Sequence, residues 1–599
     1  MRRFKSLLAF IMAFGMLFVF SSCQKEEDKN AFDNNEAQAD RNAVVNKNLS
    51  NDEPYRIDVF TMLGNYAGLQ TGWFAKVVKD KFNMELNLIA SNVDGGGDAK
   101  FASMMAAGDL GDIVIFGNDD SKYINAISGG YLLDMTRNGL LDTYGKDIVV
   151  NYPKVLKKAK VNFGNSISIY GLGYSAASMD SAHGASEGED MTWGPDLRWD
   201  LYARLGYPEV NTLEDYLPIL KQMQALEPFS DSGRPTYGFS LWSDWDGDKM
   251  CLAKQYCNVY GYDESDSFNP YGYAMVYATG EKWQGLLDDD GFYIRCLKLY
   301  FDANQMGLLD PDSISQKYED VISKLKDGQV LFSWFPFMDS IYNTQERQEQ
   351  GKGFRLVPFN EEIVYSVGYN PYGGNRLISI GNSAKHPERI MQLINWMYTA
   401  DGFQTIKTGP KGLTWDTDTD GKPYLTDYGW RALPNNATQV MPEYGGGTFK
   451  DGINQMNIEP IQSTSINPKT KEAYDYKLWA SYLAHSPTRL VSDWRNRMGA
   501  LTPKEYFVKH NKLVVADAVF TGRAPDLMDK ALEQKKGQVS AVIREYSWKI
   551  VFARDQDEFS SLLREMISKA KSRGYDELLS WNINQAEKLY NWRLLEKQQ

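Results

Sequence analysis

The histidines of this chain form none of the spacings that catalysis requires. His183, His485 and His510 stand alone, and His386 lies in a Lys-His-Pro-Glu sequence that is typical of a helix start. The chain contains no HExxH, no G-x-S-x-G and no cysteine paired with a histidine. Paired carboxylates can hydrolyse a glycoside, but 78 acidic residues supply chance pairs throughout the chain. We therefore expect a protein that binds a ligand and is not an enzyme.

One acidic segment, Asp416–Asp427, has the spacing of a calcium loop. It carries aspartates at positions one, three and five, a glycine at six and an aspartate at twelve. It departs from the pattern in three ways: an aspartate stands where a bidentate glutamate is preferred, Pro423 lies at position eight, and no helix pair flanks the segment. A plain acidic turn is the alternative. We expect no cofactor apart from a calcium ion, with the candidate ligands Asp416, Asp418, Asp420 and Asp427.

Aromatic residues make up 13% of the chain, which suits the binding of carbohydrate. Aromatic rings can stack on the C–H faces of a sugar, while carboxylates and amides bind its hydroxyl groups. Three segments combine the two residue types: Phe239–Gly247, Val330–Phe337 and Tyr365–Asn375. For any single tryptophan, burial in the core is the alternative. The predicted ligand-binding residues in these segments are Trp242, Asp244, Trp245, Trp334, Tyr369 and Asn370.

The elements that must position these residues begin near Tyr55. Tyr55–Leu63 alternates and predicts a strand, and Trp73–Phe82 has apolar residues at helical spacing. The pattern continues with a strand at Glu85–Ala90, a helix at Ala99–Ala107 and a strand at Asp112–Phe116. This alternation predicts a parallel α/β sheet.

Parallel sheets bind ligands beyond the carboxyl ends of their strands. The loops in that position are Gly64–Gly72 and Gly117–Lys122. From these loops we add Asn65, Tyr66 and Asp119 to the predicted ligand-binding residues.

Six segments in order resemble the extracellular solute-binding proteins of bacterial ABC importers, of the carbohydrate type. The segments are Lys100–Asp112, Gly129–Thr136, Tyr170–Tyr174, Arg198–Asp215, Ser383–Gly402 and Gly409–Trp415. The first ends a helix with Ala-Gly-Asp-Leu-Gly-Asp, where Gly111 replaces the common proline. The third matches a tyrosine–glycine motif of the family, and Tyr174 completes the predicted ligand-binding residues.

The resemblance implies a two-lobed α/β fold, the type II periplasmic-binding-protein-like fold, whose lobes close over a ligand at a hinge. It implies a sugar or oligosaccharide ligand and ABC permease subunits as partners. We assign residues 55–171 and 365–428 to the first lobe, and residues 172–364 and 429–599 to the second. The second lobe ends in a region that reads as helical, with its clearest helix at Phe559–Lys571.

The N-terminus resembles the signal peptide of a bacterial lipoprotein. Residues 1–22 carry a basic head, an apolar run and two serines before Cys23, although Phe20 replaces the usual leucine. We expect Cys23 to be lipidated and residues 23–54 to form a flexible tether. The protein would then be anchored by lipid to the extracytoplasmic face of the cell membrane. An ordinary signal peptide with a chance cysteine is the alternative.

Net charge indicates which partners are excluded, and the cysteines indicate whether a disulfide can form. Loss of the signal peptide leaves 62 basic and 78 acidic residues, a net charge of −16, which argues against nucleic acid. Beyond Cys23 the chain has Cys251, Cys257 and Cys296. A disulfide between the first two and three buried thiols both remain open.

Two other classes of protein compete with the ABC-importer interpretation. One is a surface glycan-binding lipoprotein of an outer-membrane uptake system, but such proteins are helical repeats, whereas Tyr55–Phe116 alternates strand and helix. The other is a secreted carbohydrate-active enzyme, which would need a catalytic constellation that the sequence lacks.

Overall fold

The structure is a computed structural model that describes residues 53–90, 93, 98–117, 120–163, 165–263, 272–485, 487–516, 526 and 528–597. The predictions for the signal peptide, for Cys23 and for the tether up to residue 52 lie outside these ranges, as does Asp119.

Short strands are distributed along the whole described chain. In chain order they are β1 Tyr55–Thr61, β2 Gly68–Leu69, β3 Met84–Ala90, β4 Ile113–Phe116, β5 Leu172–Gly173, β6 Asp196–Arg198, β7 Tyr262–Asp263, β8 Ala274–Tyr277, β9 Trp283–Gly285, β10 Phe332–Ser333, β11 Phe354–Leu356, β12 Val364–Val367, β13 Leu377–Ile380, β14 Trp415–Thr417, β15 Pro423–Leu425 and β16 Leu513–Ala516.

Helices connect and cover these strands. They are α1 Gly72–Phe82, α2 Asp98–Ala107, α3 Asp120–Ser128, α4 Leu140–Tyr144, α5 Lys146–Asn151, α6 Pro153–Phe163, α7 Trp199–Arg204, α8 Tyr216–Leu226, α9 Cys251–Lys254, α10 Phe292–Gln305, α11 Tyr318–Asp327, α12 Pro336–Tyr342, α13 Gln345–Glu349, α14 Pro387–Met397, α15 Ala400–Thr408, α16 Asp427–Ala432, α17 Ala480–Ala484, α18 Arg489–Met498, α19 Pro503–Lys509, α20 Lys530–Val551, α21 Gln556–Ser572 and α22 Tyr575–Lys597. Within the described residues, none of these helices combines the length and the apolar composition that a membrane span needs.

The sheet of the first lobe contains the three strands that the sequence predicts. β1 pairs in parallel with β3 on one side and with β4 on the other. β13 and β5 join antiparallel beyond β4, and the strand order is β2-β3-β1-β4-β13-β5. The predicted parallel core of this sheet is confirmed, with antiparallel strands at both edges.

Alternate side chains of β4 enter two separate cores, one on each face of the sheet. Ile113 and Ile115 pack into one core, and Val114 and Phe116 pack into the other. All four are fully buried, because helices and loops cover both faces. This explains why the strand is apolar at every position.

The second lobe has its own, larger apolar core. Its buried residues come mainly from 191–364 and 490–578, around the sheet β10-β6-β11. The two-lobed α/β fold is thereby confirmed. Buried apolar side chains between residues 432 and 474 pack into the core of the first lobe. The positions of the lobe boundaries stay a prediction.

The C-terminal region is helical, as predicted, and the predicted helix Phe559–Lys571 lies within α21. The ring of Phe559 packs 4.7 Å from that of Phe301. The Oδ1 atom of Asn582 accepts the backbone N–H groups of Tyr273 and Ala274 at 2.9 and 2.8 Å. The last three helices therefore form part of the second lobe.

The state of the three cysteines decides between the two alternatives that the sequence left open, a disulfide and three buried thiols. Cys251, Cys257 and Cys296 are all buried, and each is a thiol and not half of a disulfide.

Candidate functional site

Three segments of the chain run side by side between the two cores. They are residues 175–187, 366–370 and 459–465. The N–H of Ser186 donates to the carbonyl of Val367 at 3.0 Å, and the hydroxyl of Thr464 donates to the carbonyl of Ser186 at 2.6 Å. Residues 175–187 and 366–370 connect the two cores, and such connections are where two-lobed proteins bend, whereas residues 459–465 belong to the first-lobe core, to which Ile461 contributes. We call these three segments the crossing.

Glu187 lies at the centre of the crossing. Its carboxylate accepts the Ser366 hydroxyl and, at 3.2 Å, the N–H of Val367. Nζ of Lys504 donates to the Glu187 carbonyl at 2.7 Å. Burial raises the pKa of Glu187 above its ordinary value, although these hydrogen bonds oppose the rise. The crossing therefore has a polar, hydrogen-bonded interior.

A buried polar cluster follows the crossing, made of Asp190, Asp196, Asp339 and Arg355. Asp196, Asp339 and Arg355 are only 4%, 7% and 9% exposed. They lie on β6, α12 and β11 respectively. Nη1 of Arg355 is 3.8 Å from Oδ1 of Asp190, whose side chain is 40% exposed, so the cluster extends from the interior towards solvent.

The polar cluster has hydrogen-bonding capacity that the protein does not use. Among the described residues, Nε and Nη2 of Arg355 are buried and make no hydrogen bond. A buried polar atom without a partner costs about 1–3 kcal/mol, and native proteins satisfy such atoms with ordered water or a ligand. The guanidinium of Arg355 therefore offers two donors to a bound molecule.

Asp196 and Asp339 interact directly. Burial raises the pKa of Asp196 to about 6. Burial, and next the adjacent charge of Asp196, raise the pKa of Asp339 well above its usual range. Two carboxyls this close cannot both ionise readily, so they share a proton.

An aromatic platform lies near this cluster, formed by Trp242, Trp245, Tyr318, Phe335 and Phe337. The rings of Trp245 and Tyr318 are stacked, with centroids 4.6 Å apart and planes 28° apart. Phe335 lies 5.9 Å from Trp245 and 5.5 Å from Phe337. Trp245 and Phe337 are 38% and 57% exposed, whereas Trp242 lies beneath them at 4%. The platform thus has an accessible face over a buried base.

The platform and the polar cluster are neighbours. Phe335 is the N-cap of α12 and Asp339 lies in its first turn. Four residues along a helix span about 6 Å. The N–H of Gly194, two residues before Asp196, donates to the carbonyl of Trp334 at 3.2 Å. Aromatic faces next to a few convergent polar groups are the usual composition of a small-ligand site.

The structure brings together three of the predicted residues, Trp242, Asp244 and Trp245. The rings of Trp242 and Trp245 meet edge to face at 5.0 Å, and Asp244 accepts the N–H of Tyr318 at 3.0 Å. Trp334 lies nearby, but it is 4% exposed and its Nε1 donates to the Tyr300 hydroxyl at 2.6 Å. Of the three predicted tryptophans, Trp245 alone presents a substantially exposed ring.

The other predicted residues lie in the loops of the first lobe and in the crossing. Asn65 is exposed after β1, and the hydroxyl of Tyr66 donates to the carbonyl of Leu69 at 2.7 Å. The ring of Tyr174 lies beneath the guanidinium of Arg376, the hydroxyl of Tyr369 donates to the carbonyl of Thr464, and Nδ2 of Asn370 donates to the carbonyl of Gly373. Their part in ligand binding stays a prediction.

Tyr369 also lines a separate cavity of about 640 Å³. The other lining residues are Thr464, Ile466, Lys471, Glu472, Ala473, Leu478, Ala480, Leu483, Ala484, Leu501 and Lys504. Aliphatic side chains dominate this list, so the cavity lacks the aromatic faces that distinguish the platform.

Sequence reasoning did not select several residues of the candidate site. Phe335 and Phe337 lie within the aromatic segment that the sequence singles out, so composition could have identified them. Tyr318 and Arg355 carry no such signal, because their roles depend on neighbours distant in sequence.

The predicted calcium loop is a β-hairpin, formed by β14 and β15. Oδ1 of Asp418 accepts the N–H groups of Asp420 and Lys422 at 2.9 and 2.8 Å. Asp416 accepts the adjacent N–H of Thr417, and Asp427 begins helix α16. Among the described residues, no three His, Cys, Asp or Glu side chains are grouped so that they could hold a metal ion. Asp416 and Asp418 thus serve backbone N–H groups, as the acidic-turn alternative expects, and calcium binding by Asp416, Asp418, Asp420 and Asp427 stays a prediction.

Comparison with known proteins adds information on the fold. No protein-family model matches the chain, and no curated protein has a similar sequence. Many solved structures are similar, among them three that are each similar over about nine-tenths of the chain and nearly all of their own length.

The first is the alginate-binding protein AlgQ2, in a structure without calcium ion (TM-score 0.54, 14% identity, 90% of this chain and 98% of that chain). The second is an HMO-binding, ABC-transporter-associated solute-binding protein from Bifidobacterium longum infantis ATCC 15697 (0.56, 14%, 90% and 99%). The third is FusA, an ABC-transporter substrate-binding protein of S. pneumoniae, in complex with kestose (0.53, 13%, 89% and 99%). At these identities the likeness establishes that the chain has the two-lobed fold of solute-binding proteins.

Proposed function

We propose that this protein is the extracytoplasmic solute-binding lipoprotein of an ABC importer, which captures a sugar or oligosaccharide and delivers it to membrane permeases. The observation that carries the proposal is the half-exposed Trp245–Tyr318 stack beside the polar cluster, on a fold shared with carbohydrate-binding transport proteins. A chain with this six-stranded sheet is not a helical repeat, which disfavours the outer-membrane alternative.

Capture would proceed by closure of the lobes about the crossing. A sugar ring would stack on Trp245, and its hydroxyls would meet the unused N–H groups of Arg355 and the carboxyl groups beside them. A hydroxyl both donates and accepts, so it can satisfy a guanidinium N–H and a carboxylate oxygen together. Closure excludes water, and only the closed form would dock on the permease.

The test is a glycan array, followed by calorimetry with the ligand that it identifies. Trp245→Ala should weaken binding by about 1–3 kcal/mol, the range for loss of an aromatic stacking partner. Trp283→Ala is the matched control, because Trp283 is 44% exposed on β9 and lies outside the platform. Equal affinities of Trp245→Ala, Trp283→Ala and the natural protein would remove the platform from the binding site. Absence of any glycan ligand would refute the proposed function.

The lipid anchor belongs to the same proposal and rests on the residues around Cys23. Cys23→Ser should release the protein from the membrane fraction or leave its signal peptide uncleaved, because one acylated residue supplies the attachment. Fractionation and mass measurement of the mature N-terminus distinguish these outcomes. A processed Cys23→Ser protein that stays with membranes would contradict lipid anchoring.

A further inference from the structure

Glu189, the residue before Asp190, extends the polar cluster towards the first lobe. Its side chain is partly buried, and among the described residues its carboxylate makes no hydrogen bond. The charged side chains that act on it electrostatically are Asp190, Arg355, Lys477 and Arg495. Burial, and next the charge of Asp190, raise the pKa of Glu189, while the three cations oppose the rise. Glu189 is therefore an unused acceptor beside the unused donors of Arg355.

Two tyrosines of the first lobe, Tyr476 and Tyr482, lie close to Glu189. They pack against a small core that joins the core of the first lobe through Leu433. Their rings meet edge to face at 5.4 Å, and the ring of Tyr482 stacks on that of Trp430 at 5.2 Å with the planes 9° apart. Glu189 acts electrostatically on both hydroxyls. Among the described residues neither hydroxyl makes a hydrogen bond, and neither is fully buried, so both are open to a ligand.

A direct hydrogen bond joins the two lobes at this point. Nη1 of Arg495, on α18 of the second lobe, donates to the carbonyl of Leu483 at 2.9 Å. Leu483 follows Tyr482 in the chain. Arg495 follows Trp494, whose ring centroid lies 4.9 Å beneath the guanidinium of Arg355. The tyrosines of the first lobe and the guanidinium of the second therefore line one gap between the lobes.

We propose that Glu189, Tyr476 and Tyr482 bind the sugar directly, so that one bound sugar connects the two lobes. This inference rests on the proposed function and names the residues that link binding to closure. A sugar hydroxyl can donate to the carboxylate of Glu189 and accept an N–H of Arg355, and the tyrosine hydroxyls of the first lobe can bind a neighbouring sugar hydroxyl. A ligand that contacts both lobes binds the closed form more tightly than the open form, and it shifts the population towards the closed form.

Three conservative variants test these contacts: Glu189→Gln, Tyr476→Phe and Tyr482→Phe. The probes are the oligosaccharides of a glycan array that includes β-1,4-mannotriose, α-1,4-galactotriose and trigalacturonic acid, and calorimetry measures the Kd of the tightest binder. Glu189→Gln should raise this Kd by about 10-fold, because an amide oxygen accepts a hydrogen bond more weakly than a carboxylate does. Each tyrosine variant loses one hydroxyl and keeps its ring, so its Kd should rise by about 2–10-fold.

Tyr144→Phe is the matched control. Tyr144 ends helix α4, packs partly buried on the core of the first lobe, and likewise makes no side-chain hydrogen bond among the described residues. Its Kd should equal that of the natural protein. Without ligand, none of the variants should lower the melting temperature, because none of them removes a hydrogen bond within the part of the chain that the structure describes.

Small-angle X-ray scattering tests the connection between the lobes. With the tightest binder the natural protein should become more compact, and a Tyr476→Phe/Tyr482→Phe double variant saturated with the same oligosaccharide should contract less. An equal decrease in the radius of gyration would contradict the link to closure.

Unchanged affinities in Glu189→Gln and in both tyrosine variants would overturn the inference and leave the proposed function intact, because the natural protein would still bind a glycan. A lower melting temperature with an unchanged Kd would assign these side chains a structural role instead. Failure of the natural protein to bind any glycan of the array would overturn the proposed function and the inference with it.

Discussion

Replacement of Asp339 by asparagine should change how the stability of the protein depends on pH. The ordinary pKa of an aspartate is 3.8, and burial raises that of Asp196 to about 6. The folded state therefore binds the proton more tightly than the unfolded state does. Stability that depends on this proton is fully present below about pH 4 and is lost as the pH rises through about 6.

The magnitude follows from the size of the shift. A rise in pKa of about two corresponds to about 3 kcal/mol of unfolding free energy for Asp196 alone. In Asp339→Asn the side chain at position 339 no longer titrates. The amide of the new asparagine can donate a hydrogen bond to Asp196. Burial keeps the pKa of Asp196 raised in this variant, so the part of the stability loss that comes from Asp196 should remain, and the part between pH 4.5 and 7.5 that comes from the raised pKa of Asp339 should disappear.

Urea denaturation at several pH values measures this directly. The natural protein should lose stability from pH 4.5 to 7.5 relative to Asp339→Asn. Asp327→Asn is the opposite control: burial raises the pKa of Asp327, but hydrogen bonds from Ser230 and Ser232 outweigh it, and the pKa is lowered. The stability that the Asp327 carboxylate contributes is present above the ordinary pKa of an aspartate. It is lost only as the pH falls through the pKa of Asp327 in the folded protein. If Asp339→Asn and the natural protein give parallel lines between pH 4.5 and 7.5, Asp196 and Asp339 do not share a proton.

Three further predictions concern stability and metal dependence. Trp334→Ala should cost about 3–5 kcal/mol in urea denaturation through the cavity it leaves, and a cost below about 1 kcal/mol would show that the ring is not core. Asn582→Ala should lower the free energy of unfolding by about 2–4 kcal/mol, because two buried N–H groups lose their acceptor. Asn582→Asp keeps an acceptor oxygen and should lower it less. Equal losses in the two variants would contradict the assignment of Oδ1 as the acceptor. If Asp416–Asp427 is the acidic turn, a chelator should leave the melting temperature unchanged, and Asp418→Ala should lower it slightly and equally with and without the chelator; a chelator effect that Asp418→Ala abolishes would support the calcium site.

Local patterns in the sequence were sufficient for much of the first lobe. The predicted strands at Tyr55–Leu63, Glu85–Ala90 and Asp112–Phe116 correspond to β1, β3 and β4, and they pair in parallel. The periodicity of strands and helices reflects which side chains face the core. A short window of sequence is therefore enough to detect it. The apolar run at Ile113–Phe116 likewise indicated a strand that is buried on both faces of the sheet.

Spacing alone does not decide where a side chain has two possible partners. The aspartates of Asp416–Asp427 have the intervals of a calcium loop, yet Asp418 serves the backbone of its own hairpin. The choice between an ion and two N–H groups depends on how the chain turns, which the β14–β15 pairing decides.

The sequence by itself determined the alternating α/β architecture, the helical C-terminal region and the aromatic segments from which a site could be built. Only the tertiary structure decided which rings are accessible: Trp242, Trp245 and Trp334 follow similar apolar runs, but Trp334 points at Tyr300 in the core and Trp245 stacks on Tyr318 at the surface. It also placed Arg355 against Asp190, 165 positions apart in the chain. Exposure and charge pairing depend on contacts between distant segments, and no local pattern encodes them.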